Sequence, residues 1–116
     1  MIMLPSAVRI FLCTRATDLR KSFDGLTGLV QECFGQDPLT GHLFLFLNRR
    51  RDRLKILYFD RDGLAIWYKR LEVGSFQMPE VVGSDSVELQ PAQLAMLLSG
   101  IDLRSARQRK RFQRAG

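Results

Sequence analysis

Five consecutive apolar residues, Leu43-Phe44-Leu45-Phe46-Leu47, constrain this chain more than any other segment. Successive side chains of a strand point to opposite sides of its sheet, so a strand with one wet face alternates apolar and polar residues. A run that is apolar throughout predicts a strand covered on both faces. The residues that follow, Arg49-Arg50-Arg51-Asp52-Arg53, are too polar to bury and read as a hairpin loop. Leu54 to Phe59 returns as a second strand, and Asp60-Arg61-Asp62-Gly63 carries an Asp-Gly turn signal. Leu64 to Leu71 is a third strand, ending near Gly74. Two short connections in succession imply an antiparallel meander.

Elements on either side complete the outline. Val8 to Cys13 is apolar with β-branched and aromatic members and reads as a first strand. Ser22 is placed to cap a helix over 23–34, whose Phe23, Leu26, Leu29, Val30 and Phe34 give the spacing of one buried face. Gly25 and Gly28 lie together on one side and are expected to let this helix approach the sheet closely. Gly35 and Pro38 end it, and 36–42 is a loop. Short strands are expected at Ser75 to Met78 and at Val87 to Gln90, with a loop from Glu80 to Ser86 between them. Pro91 opens a second helix with the stripe Leu94, Leu97, Leu98 and Ile101. The expected fold is α+β: a curved, mostly antiparallel sheet of about four to six strands with a meander core and two helices. A length of 116 residues suits one domain, assigned to residues 1–103.

The formal charge of +6 is unevenly placed. Residues 1–103 hold twelve basic and twelve acidic side chains, which cancel. The excess lies in 104–116, where Arg104, Arg107, Arg109, Lys110, Arg111 and Arg114 occur with no acid. Such a block repels itself and is expected to stay disordered until it meets a polyanion. No apolar stretch reaches the roughly 18 residues of a membrane span, and Met1 to Ser6 lacks the pattern of a signal peptide. Cys13 and Cys33 lie in apolar segments without metal-ligand spacing and read as free buried thiols. A cytoplasmic location is the expectation.

Catalytic patterns are hard to find. His42 is the only histidine, in a turn before a strand, and no P-loop or dinucleotide fingerprint occurs. Asp24, Asp60, Asp62 and Glu72 are carboxylates of the type that hold metal ions in nucleases. Each has a simpler reading: Asp60 and Asp62 bracket a turn, Asp24 starts a helix, and Glu72 neighbours Lys69 and Arg70. The expectation is a protein that is not an enzyme and uses no cofactor or metal. Basic groups are the remaining signal. Arg49, Arg50, Arg51, Arg53 and Lys55 place five cations in seven residues, and Lys69 and Arg70 lie on the next strand. A solvated charged face is one reading; more charge is gathered there than solubility requires, which favours a phosphate-binding surface. Together with the six basic residues of the tail, these are the candidate nucleic-acid contacts. Phe59, Trp67 and Tyr68 are aromatics that could stack on bases, with core placement expected for at least two of them.

Three separated pieces carry a resemblance. They are Leu4-Pro-Ser with Thr17-Asp-Leu-Arg-Lys-Ser-Phe-Asp-Gly-Leu26, the stretch Gly41 to Asp60, and Asp62-Gly63 with Tyr68-Lys-Arg-Leu-Glu72, Gly74-Ser-Phe76 and Pro79. In this order, and with Gln93-Leu94, Leu98 and Gly100-Ile-Asp102, they closely resemble the TnpB-type accessory protein, the second reading-frame product, of insertion sequences of family sixty-six. Many members carry Trp where this chain has Phe59 and Met78. The resemblance implies a non-catalytic factor that assists DNA transposition beside a larger transposase, which performs the cutting and joining. DNA and that transposase are the implied partners. The alternative is an adaptor that binds the transposase without touching DNA.

Overall fold

The computed structural model describes residues 7–80 and 83–100 of the chain. Strand β1 (Ile10–Cys13) comes first, followed by helix α1 (Phe23–Leu29), which runs on as a π-helical turn over Val30–Phe34. After a single 3-10 turn at Pro38–Thr40 come β2 (Leu43–Leu47), β3 (Arg53–Asp60) and β4 (Gly63–Arg70). Strand β5 (Ser86–Leu89) and helix α2 (Pro91–Ser99) finish the described part. The strands form one sheet in the order β4-β3-β2-β1-β5.

The β2–β3–β4 meander follows from the short connections. Strand β1 lies on the other side of β2 and runs parallel to it, Phe11 beside Phe44 and Leu12 beside Leu45. A parallel pair cannot be joined by a tight turn, and α1 supplies the crossover. Strand β5 closes the far edge antiparallel to β1. The mostly antiparallel sheet with two helices is the expected α+β architecture.

Both faces of this sheet are covered. Phe11, Cys13, Phe44, Phe46 and Leu57 pack with Leu26 and Val30 on the α1 side. Ile10, Leu12, Leu43, Leu45, Leu47, Leu54 and Ile56 pack with Phe76, Leu89, Leu94 and Leu97 on the α2 side. Strand β2 supplies alternate residues to each layer, which is why all five had to be apolar. The wider turn after α1 sets Phe34 over the sheet near Val30. Its ring centroid lies 5.4 Å from Phe44, 5.7 Å from Phe46 and 6.0 Å from Phe11.

Several local expectations are corrected. Phe23 is 43% exposed and lies off the buried face of α1. Gly25 and Gly28 face outward; a Cβ at Gly28 would meet nothing, and one at Gly25 only the Lys21 side chain. Ser22 sits at the N-cap, but its hydroxyl makes no capping hydrogen bond. At the β3–β4 turn the left-handed residue is Arg61, with φ 56°, rather than the glycine of the Asp-Gly pair. Ser75 to Met78 is not a strand. After β4 the chain crosses under the β2–β3 turn: Leu71 N–H donates to the Asp52 carbonyl at 2.7 Å and Phe76 N–H to that of Arg51 at 2.6 Å. The Phe76 side chain then enters the α2-side core, 1% exposed. Of the second helix stripe, Leu94 and Leu97 are buried and Leu98 packs against them, while Ile101 lies outside the described residues.

Phe76 is therefore a core plug carried by an irregular segment. Phe76→Ala is expected to cost about 3–5 kcal/mol, read as a lower urea midpoint at unchanged slope.

Candidate nucleic-acid interface

The most polar segment of the chain is mounted on its most buried strand. Asn48 follows Leu47 directly and organises the turn between β2 and β3. Its Oδ1 accepts from Asp52 N–H at 3.1 Å and Arg53 N–H at 3.0 Å, and its Nδ2 donates to Asp52 Oδ1 at 2.6 Å. Arg51 N–H donates to the Asn48 carbonyl at 3.0 Å. Arg51 takes φ 57°, in the left-handed region that a non-glycine residue occupies only when its surroundings require it. The hydrogen bonds from Leu71 and Phe76 hold the turn from beneath. Three adjacent arginines are thus presented on a rigid support.

A second segment faces this turn. Thr17 N–H donates to the Leu47 carbonyl at 2.8 Å, which ties residues 16–20 to the end of β2. Leu19, 8% exposed, anchors the same segment in the α1-side core. Between 16–20 and 48–53 lies an open cleft of about 640 Å³, lined by Arg20, Arg49, Arg50 and Arg53, with Asp18, Asp52 and Tyr68. Arg20 is held by Asp18 through Nε at 3.0 Å and Nη2 at 2.7 Å. These hydrogen bonds pull the Asp18 carboxyl down to about 2 from an ordinary 3.8.

Tyr68 projects from β4 into the cleft and is 47% exposed. Lys55, directly opposite on β3, is only 9% exposed. Its ammonium lies 4.8 Å from the Tyr68 ring centroid and donates to the Lys21 carbonyl at 2.8 Å. Arg53 Nη1 donates to Tyr68 Oη at 3.1 Å. The ring is held from its face and from its hydroxyl.

Charge pairing separates these arginines from four others of the described residues, while Arg61, at the β3–β4 turn, is likewise unpaired. Arg9 pairs with Glu88 at 2.6 Å, Arg15 with Asp85 at 3.7 Å, Arg20 with Asp18 and Arg70 with Glu72 at 2.8 Å. Among the described residues, Arg49, Arg50, Arg51 and Arg53 have no carboxylate within 4.0 Å. Exposed pairs like the first four add little stability, but each cancels a charge.

The structure thus gathers Arg49, Arg50 and Arg53 in the cleft and sets Arg51 at the apex beside it. Lys55 is turned inward as a support for Tyr68. Arg70 stands opposite Arg53 on the same face, and Lys69 stands opposite Leu54 on the other. Arg104, Arg107, Arg109, Lys110, Arg111 and Arg114 lie outside the described residues. Sequence reasoning did not place Arg20 or Asn48 in the site, and it named Tyr68 only as one of three aromatics that could stack on bases. Arg20 is far from the turn in sequence, and only the parallel β1–β2 pairing brings them together. Of the three aromatics considered, Trp67 packs against the α2-side core and Phe59 is half-buried.

The other candidate groups have structural roles. His42 Nδ1 accepts from Arg9 N–H at 3.0 Å, and its ring meets Phe11 edge-on. Cys33 Sγ lies 3.1 Å from Cys13 Sγ and 3.3 Å from the Asp85 carbonyl. Both thiols are free, and burial, then Cys13, pushes the Cys33 thiol up to about 12. Among the described residues no three His, Cys, Asp or Glu side chains are grouped to hold a metal ion, and no helix is long and apolar enough to cross a membrane.

Two outcomes are expected. Asn48→Ala should cost about 1–2 kcal/mol in denaturant unfolding, because it removes the side-chain hydrogen bonds to Asp52 and Arg53 at a partly exposed turn. The Asp18 carboxyl, followed by NMR, should titrate near 2 and return towards 3.8 in Arg20→Ala. Since its folded value is depressed, what the pair contributes to stability is present above about pH 4 and is lost as pH falls towards 2.

The family model described as "IS66 Orf2 like protein" matches residues 8–108. "Uncharacterized protein y4hO" of Sinorhizobium fredii is 42% identical over 104 residues, which is 88% of this chain and 90% of that protein. "Uncharacterized protein y4jC" of the same organism is 34% identical over 95 residues, 82% of this chain and 80% of that protein. No solved structure matches the chain.

Proposed function

We propose a function from the premise that this chain belongs to the IS66 Orf2-like family, the accessory proteins of a class of insertion sequences. In our reading it assists transposition in the cytoplasm by binding DNA through phosphate contacts, while the transposase encoded by the same element breaks and joins the strands. The observation that carries this reading is the group of four arginines without carboxylate partners, held on a braced turn while four other arginines are neutralised. Guanidinium groups in such a group displace condensed counterions from a phosphate backbone. The contacts are Arg49, Arg50, Arg51 and Arg53, with Arg104, Arg107, Arg109, Lys110, Arg111 and Arg114 of the tail adding further charge; Arg70 is paired with Glu72 and Lys69 stands on the other face of the sheet. No base-reading helix is invoked, so affinity should depend on salt more than on sequence.

Binding to duplexes of element ends and of random sequence, measured between about 50 and 200 mM salt, tests this. Each phosphate contact contributes about −0.9 to the slope of log K against log salt. The combined variant Arg49→Gln/Arg50→Gln/Arg53→Gln should flatten that slope by about 2 to 3, and removal of residues 104–116 by up to about 5. Arg61→Gln, at the far end of the β3–β4 hairpin, should leave it unchanged. A triple variant with the wild-type slope refutes the role of the turn.

One observation favours a second reading, an adaptor for the transposase. Among the described strands β4 has no neighbour on its outer side, and eight residues of edge can accept an added strand. Tight co-purification with transposase, combined with no duplex binding at moderate salt, would select this reading over the first.

A further inference from the structure

We propose that the cleft between residues 16–20 and the arginine turn receives one unpaired nucleotide of a single strand, its base against Tyr68 and its phosphates on Arg49, Arg50 and Arg53. This rests on the phosphate-binding reading above and names what enters that site.

Three observations carry it. The first is shape. The cleft is concave, with two segments as its walls, and about 640 Å³ falls within the roughly 300–1,000 Å³ of sites that take a small organic group. The bases of a duplex are stacked and paired inside the helix, so a duplex can offer such a hollow only its sugar-phosphate edge. An unpaired nucleotide can put its base into it.

The second is the floor. An aromatic ring nearly half exposed, in a chain that buries most of its large apolar side chains, is available for stacking. Tyr68 is also pre-positioned: Lys55 lies against the ring, itself tethered to the Lys21 carbonyl, and Arg53 holds the hydroxyl. A ring that need not be ordered on binding loses less entropy to its ligand.

The third is the distribution of charge. Asp18 and Asp52 line the same cleft as the arginines. Asp18 is neutralised by Arg20, but the Asp52 carboxylate repels a phosphate, so phosphates are directed to Arg49 and Arg50 on the turn and the uncharged base to the interior. A positive rim beside an aromatic plate is how proteins hold single strands without reading sequence.

The test uses the full chain and four probes: a DNA single strand, a strand with the same phosphates but abasic sugars, a duplex, and free deoxyadenosine monophosphate. The wild-type chain should bind the normal strand about 5- to 100-fold more tightly than the abasic one. Tyr68→Ala should abolish that preference, Tyr68→Phe should keep most of it, and Tyr68→Ala should weaken single-strand binding far more than duplex binding. Equal wild-type affinity for the normal and abasic strands overturns the proposal, and that comparison needs no variant to fold. A preference that survives Tyr68→Ala, or free nucleotide binding as tight as the strand, also overturns it. The phosphate reading fails separately: there the triple arginine variant would keep its salt slope whatever the abasic comparison showed.

Discussion

Neither face of β2 can meet water. Leu43, Leu45 and Leu47 belong to one apolar layer and Phe44 and Phe46 to the other, all five buried. Burying a large apolar side chain is worth about 1.5–3 kcal/mol, so any arrangement that left one face of this strand wet would lose several such contributions. The sheet must therefore carry cover on both sides, and the chain supplies it by passing α1 across one face and α2 with Phe76 across the other. Everything that follows is attached to this strand. Its last carbonyl, at Leu47, accepts from Thr17, and the next residue, Asn48, shapes the arginine turn.

The turn works against its own electrostatics. Four arginines in five residues repel one another, and Arg51 adopts a backbone conformation that costs a non-glycine residue energy. What offsets this is local and specific: the Asn48 side chain satisfies two backbone donors and holds Asp52, while Leu71 and Phe76 bond to the turn's carbonyls. Strain and uncompensated charge are concentrated on this one turn, and the phosphate-binding proposal rests on that concentration. Among the described residues, Arg9, Arg15, Arg20 and Arg70 are instead paired with carboxylates from neighbouring segments or from two residues away.

Much of this was legible from residues alone. The meander follows from two short connections, and the double cover of β2 from its unbroken apolar run. The arginine cluster is visible as five cations in seven residues. Other features were not legible, each for a physical reason. Gly25 and Gly28 suggest close approach to the sheet, yet which side of a short helix faces inward depends on where the crossover lands. Ser75 to Met78 has the composition of a strand, but Phe76 is drawn into the core and the backbone bonds to a turn instead of a neighbouring strand. Lys55 looks like one more surface cation. Its position opposite Tyr68, with the Lys21 carbonyl in reach, makes it a buried support.

The sequence by itself determined the class of fold, the identity of the central strand and the concentration of positive charge, because these depend on side-chain type at fixed short spacing. Tertiary structure alone decided that β1 lies parallel to β2, that Arg20 faces Arg49 and Arg50 across a cleft, and that Tyr68 is the exposed aromatic of three. Those outcomes depend on which distant segments share a strand register, and no local pattern encodes that. It is set when a crossover helix and a strand end find a packing that covers both apolar faces of the sheet.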